Sequence, residues 1–245
     1  MGDGDMKIRA VIFDVYGTLM QVGPPPVNAD SLWQKLFQET FGTEPPLGKL
    51  EFSVACNRSI MLRHTAAKAR GISHPEIFWP SIVAELLPAY AKLTAEAQAE
   101  FVFRQIQIGR SLSLYPGAAQ TLRWLTDKKC LLGIASNAQA YTLRELETML
   151  KTGGLNSKVF DPELAYWSFQ SGFAKPDPHG YQIIRIRLEA RGISPIETLM
   201  VGDRLDNDVA PARLQGFQTW HLNATSPEKL SGNWEKLREF LVRSV

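Results

Sequence analysis

Five short apolar runs punctuate this chain, at 8–13, 131–135, 159–160 with 164–167, 198–201 and 219–222, most of them bounded by Gly, Asn or Asp. Runs this short, without polar alternation, read as strands buried on both faces of a sheet. Helical patterns separate them. Tyr115-Pro116-Gly117 opens one helix, with Ala118, Leu122 and Leu125 on a single face; others cover 142–150 and 178–190. Strand and helix in alternation build βαβ units on a parallel sheet. The expected fold class is therefore α/β, a doubly wound, Rossmann-like parallel sheet.

One stretch breaks the alternation. Between Pro24-Pro25-Pro26 and Gly109 no strand-like run stands between turn signals, and helical windows cover 31–41, 52–70, 77–87 and 94–108. The expected organisation is an α/β core from 1–22 and 110–245, with a helical insert at 23–109. A last helix at 234–242 is capped by Asn233.

Composition excludes several classes of function. The 245 residues carry a net charge of +2 with scattered Lys and Arg, so nothing resembles a nucleic-acid stripe or a polybasic membrane patch. No apolar run approaches the roughly 18 residues of a membrane helix. The first six residues lack the regions of a signal peptide, and two cysteines, Cys56 and Cys130, do not make a disulfide framework. A cytoplasmic location is expected, with a small anionic molecule as the partner and no nucleic acid or membrane. Oligomeric state is not legible.

The chemistry concentrates at strand ends, where parallel sheets place their ligands. The first strand runs into Asp14-Val15-Tyr16-Gly17-Thr18, offering a carboxylate that can act as nucleophile or metal ligand. The second site is Ser136-Asn137, a hydroxyl and an amide suited to an anionic oxygen. Lys175 follows, restrained by Pro176 and Pro178. The last is Gly202-Asp203-Arg204-Leu205-Asp206-Asn207-Asp208, whose carboxylates with Asp14 supply the oxygen ligands Mg²⁺ prefers.

These four segments, in this order, resemble the motifs of the haloacid dehalogenase superfamily from Lys7 to about Asn223, and the insert matches that family's helical cap by position. The resemblance implies that Asp14 attacks substrate, Thr18 braces its loop, and Ser136 and Asn137 bind the transferred group. It implies that Lys175 neutralises charge, and that Mg²⁺ is held by Asp14, the backbone carbonyl of Tyr16 and Asp203. Asp208 would stand beside the ion, supported by Asn207.

One departure matters. Phosphatases of this family usually carry an Asp where this chain has Tyr16, to protonate the leaving alkoxide. The family's 2-haloacid dehalogenases carry Tyr there, because halide leaves without a proton, and they need no metal. Their fourth motif, however, is usually not of the acidic kind found here. Crowded carboxylates are costly without a cation, so the expected activity is Mg²⁺-dependent hydrolysis of a small phosphorylated metabolite. The alternatives are a metal-independent 2-haloacid dehalogenase and a non-catalytic binding or scaffold protein.

Plainer readings apply elsewhere. Asp177 caps the following helix, Asp206 is a solvated turn residue, and Ser136-Asn137 alone would be a helix cap. Tyr16 can also be read as a ring packed under the insert. His64, His74, His179 and His221 are too dispersed for a zinc site, and Arg58, Arg63 and His64 read as a solvated basic face.

Overall fold

A computed structural model describes residues 7–223 and 225–245. Its centre is a parallel sheet built around β1 (Ala10–Phe13), and the helical insert that follows is entered and left through an antiparallel ribbon. That ribbon pairs β2 (Met20–Gly23) with a strand more than eighty residues on, and the helices α1 (Ala29–Phe41), α2 (Lys49–Lys68), α3 (Trp79–Leu86) and α4 (Ala95–Gly109) lie between. The chain returns through β3 (Ser111–Leu114) and continues as α5 (Ala118–Asp127), β4 (Leu131–Ser136), α6 (Ala140–Thr152), β5 (Ala165–Trp167) and α7 (Ser168–Ser171). It ends with α8 (Pro178–Glu189), β6 (Thr198–Gly202), α9 (Ala210–Leu214), β7 (Gln218–His221) and α10 (Trp234–Ser244).

The sheet order is β5-β4-β1-β6-β7, all parallel. The chain moves from β1 to one side and then crosses to the other, so β1 sits where the winding reverses. Ligands bind outside strand ends at such a point. The expected doubly wound class is the observed one.

Period-two alternation divides β1 between two apolar layers. Val11 and Phe13 face a cluster with Leu122, Leu146 and Trp234, beneath α5, α6 and α10. Ala10 and Ile12 face Tyr181, Ile184 and Leu188 of α8. Phe13 stacks on Trp234 at 5.9 Å, which docks the final helix under β1. Asn233 caps that helix by accepting the Lys236 N–H. The inserted helices have their own core around Trp33, Phe37, Phe52 and Phe101, so the recurring aromatics of this segment pack against one another. Among the described residues no helix is long and apolar enough to cross a membrane.

Two local readings are corrected. Val159 and Phe160, expected in a strand with 164–167, lie outside it: the Asn156 side chain accepts the Lys158 N–H and bends 157–159 into a 3-10 turn, and the strand is Ala165–Trp167. The β2–β3 ribbon was not visible in the sequence: Ser-Leu-Ser-Leu is half-exposed and carries no continuous apolar run.

Candidate active site

Asp14 leaves β1 with its backbone N–H on the Val201 carbonyl of β6, 3.0 Å away, which fixes its carboxylate over the strand ends. Gly17 makes the turn that follows, at φ +82°. A methyl group there would lie 2.3 Å from Asp203 Oδ2, and one at Gly202 would lie 2.3 Å from Asp208 Cβ. Only glycine lets the two acidic loops close on each other.

Lys175 is the hub. Its ammonium donates to Asp14 Oδ1 at 2.7 Å, Asp208 Oδ1 at 2.6 Å and the Ala135 carbonyl at 2.7 Å, using all three hydrogens. Asn137 holds the backbone of this lysine from both sides, accepting its N–H at 2.6 Å and donating to its carbonyl at 3.0 Å. The sequence suggested that Asn137 binds a transferred group or caps a helix. In the fold its amide clamps Lys175, and Gln139 is the cap residue of α6. Ser136 is fully buried at the end of β4, its hydroxyl 3.5 Å from the Asn137 carbonyl. Thr18, also buried, reaches Asp203 Oδ1 at 3.5 Å.

Asp208 accepts from Lys175 on one oxygen and from the Arg204 N–H on the other, at 3.0 Å. Asp203 is held through its backbone. His221 lies with Nε2 2.9 Å from the Asp203 carbonyl, and since a carbonyl only accepts, that nitrogen carries the hydrogen. Asp206 is exposed and paired with Arg204, and Asp177 caps α8.

Asp14, Asp203 and Asp208 each present an oxygen within 4.8 Å of the others. Burial pushes the Asp14 carboxyl up to about 7 despite Lys175, and burial with the nearby Asp208 raises Asp203. Burial alone would depress Lys175, but Asp14 and Asp208 outweigh it and raise the lysine, which stays charged. Three carboxylates thus face one ammonium. After the pairings above, Asp14 Oδ2, the Asp203 carboxylate and the Tyr16 carbonyl are left with no hydrogen bond shorter than the long one from Thr18, among the described residues. A hard oxygen set with surplus negative charge fits Mg²⁺. The cavity over it, about 180 Å³, is lined by Asp14, Tyr16, Asn137, Lys175, Asp203 and Arg204 among others.

The side chain of Tyr16 points into a separate polar knot. Its hydroxyl donates to Glu145, lies 2.9 Å from Thr142 Oγ1 and accepts from Arg110 at 2.8 Å. Arg110 also donates to Glu145 at 2.6 Å and lies 4.4 Å above the Tyr16 ring. Burial holds the Tyr16 hydroxyl well above the usual range of a phenol. It is no base at neutral pH. Sequence reasoning missed Arg110 and Glu145, while His221, read as structural or exposed, is buried and structural. Glu145 alone left a signal, since it shares the buried face of α6 with Thr142, Leu146 and Leu150.

A family model described as haloacid dehalogenase-like hydrolase matches residues 8–216. An (S)-2-haloacid dehalogenase 4A of Burkholderia cepacia is 28% identical over 218 residues, covering 89% of this chain and 84% of its own length. A solved 2-haloacid dehalogenase from Pseudomonas syringae pv. tomato DC3000 superposes with a TM-score of 0.63 at 22% identity, covering 97% of this chain and 100% of that one. A solved HAD phosphatase from Thermococcus onnurineus gives 0.55 at 22% identity, over 96% of this chain and 98% of that one. The last two likenesses concern the fold.

Proposed function

The chain belongs to the haloacid dehalogenase-like hydrolases, and on that premise we propose that it hydrolyses a small phosphorylated metabolite with Mg²⁺, using Asp14 as nucleophile. The observation that carries this reading is the charge imbalance: three carboxylates with oxygens within 4.8 Å of one another, and a single buried ammonium among them. Removing such a group from water is costly unless further positive charge joins it.

Asp14, Asp203 and the Tyr16 carbonyl would hold the ion. The chemistry Mg²⁺ supplies there when bound is neutralisation of the carboxylates and of the phosphoryl oxygens. Lys175, charged and fixed by Asn137 and Asp208, orients Asp14 and draws the phosphoryl group toward it. A carboxylate oxygen of Asp14 bonds to phosphorus as the bond to the ester oxygen breaks. The leaving oxygen takes its proton from water in the cleft, because the Tyr16 hydrogen is committed to Glu145. Water then attacks phosphorus, releases phosphate and restores the carboxylate. Good leaving groups are favoured on this account.

Tyr16 itself favours a second reading, metal-independent hydrolysis of 2-haloacids, since a halide needs no proton and a relative at 28% identity bears that name. The two are separated by 4-nitrophenyl phosphate and a 2-haloacid, each with and without EDTA. The first reading expects phosphate release that EDTA stops and Asp14→Asn abolishes. Halide release that persists in EDTA establishes the second. Neither activity from pure folded protein leaves a binding protein.

A further inference from the structure

Two more cavities lie behind the acidic one. The middle one, about 310 Å³, shares Tyr16 and Asn137 with it and is walled by the polar side chains of Glu76, Arg110 and Gln139. The outer one, about 390 Å³, shares Trp79, Gln139 and Tyr141 with the middle one. Its remaining wall is mainly aromatic and aliphatic, including Phe78, Val102, Phe103 and Phe169.

We propose that the outer cavity receives an apolar tail of the substrate, so that the enzyme acts on a phosphate ester whose alcohol ends in a hydrocarbon group. The proposal rests on the phosphate-ester reading above. Three observations carry it. The cavity borders the middle one along Trp79, Gln139 and Tyr141, and the middle one borders the acidic cavity along Tyr16 and Asn137, which makes the substrate itself the proposed occupant. Two of its polar side chains are already paired: Gln98 donates to the Tyr90 and Leu93 carbonyls, and Arg144 pairs with Glu100 while lying 3.6 Å over the Phe103 ring, whereas the Tyr90 and Tyr141 hydroxyls on the wall have no hydrogen-bond partner among the described residues. Beyond those two hydroxyls the wall is mainly hydrocarbon, and a charged tail would enter it without a counter-charge.

The wall is also pre-formed. The Gln139 amide accepts the Trp79 N–H at 3.1 Å and donates to the Ile77 carbonyl at 2.8 Å, and the Trp79 indole donates to Gln105 at 3.2 Å. A site of this size, apolar with a few fixed polar groups, is the ordinary form of a small-molecule pocket. Phe78, 62% exposed, stands at its edge, an apolar side chain that a bound tail would cover.

The test uses 4-alkylphenyl phosphates with methyl, butyl and octyl chains, which keep the leaving-group chemistry constant. KM should fall about threefold to fourfold for each methylene that enters the cavity, with kcat little changed. Ala99→Trp, a substitution at an exposed residue of α4 that lines the cavity, should remove the chain-length dependence and leave the methyl compound as before. Binding of the matching 4-alkylphenols, measured by calorimetry, reads the cavity without any turnover. If no ester is hydrolysed but 4-octylphenol binds to the wild type and not to Ala99→Trp, the phosphatase reading fails and the apolar site stands. A KM and phenol affinity independent of chain length overturns the proposal.

Discussion

Tyr16 donates its phenolic hydrogen to Glu145, a residue 129 positions away, at the place where a family phosphatase would hold its proton donor. The hydroxyl is thereby turned to structure, tying the loop after Asp14 to α6 under the guanidinium of Arg110. Two buried atoms of that same knot, Arg110 Nε and Glu145 Oε1, lack partners among the described residues. Tyr16→Phe should therefore cost about 1.5–3 kcal/mol of stability, the worth of a hydrogen bond to a charged group. Turnover of an alkyl phosphate, whose leaving alkoxide needs a proton, should fall far less than the roughly 100-fold that removal of a general acid costs. Urea denaturation and steady-state kinetics on one preparation check both, and a 100-fold loss would make Tyr16 the acid.

Replacing the same residue by the acid it lacks gives the converse. Tyr16→Asp should raise turnover of alkyl phosphates, whose alkoxide needs a proton, by an amount approaching about 100-fold. The same variant should change 4-nitrophenyl phosphate little, since nitrophenolate leaves unaided. Unchanged or slower alkyl phosphate hydrolysis would mean that the proton has another source.

Gly17 separates fold from ion binding. Gly17→Ala forces a methyl into the 2.3 Å contact with Asp203 Oδ2 and holds a side chain at φ +82°. The backbone cost is about 1–2 kcal/mol, which a folded domain tolerates. Mg²⁺ affinity should fall steeply while the circular dichroism spectrum is kept, and equal affinity in the variant would remove Asp203 from the ion's ligands.

The thiols give a pH dependence away from the active site. Burial pushes Cys56 and Cys130 each up to about 12, from an ordinary value of 9.0. Native protein holds these protons when the unfolded chain has released them, so stability should decline as pH rises from about 9 toward 12. Below pH 9 both states are protonated and the two groups contribute no slope. Urea midpoints measured against pH for the wild type and a Cys130→Ala variant should show a smaller alkaline decline in the variant. At pH 8 a disulfide reagent should label neither thiol until the protein unfolds.

Strands β1, β4 and β6 were legible because a sheet covered on both faces demands continuous apolar runs, and few other local structures do. The candidate site was legible for a related reason: Asp14, Ser136 and Asp203 stand at strand ends, where an apolar run stops at a polar residue. The roles were less so. Asn137 clamps a lysine backbone 38 positions away, and His221 holds the carbonyl of Asp203. Such contacts depend on how loops fold back, which neither periodicity nor spacing encodes. The β2–β3 ribbon escaped for the opposite reason, since half-exposed Ser-Leu alternation looks like any loop. Arg110 left no local mark at all.

The central claim is that the acidic cluster is tolerable because a divalent cation joins Lys175 within it. Calorimetric titration of the metal-free protein with MgCl₂ tests this most directly, beside an Asp203→Asn variant shown to be folded by its thermal transition. The account predicts saturable uptake of a single ion by the wild type and none by the variant. A wild type that takes up no Mg²⁺ at millimolar concentration, or a variant that binds as well, would contradict it.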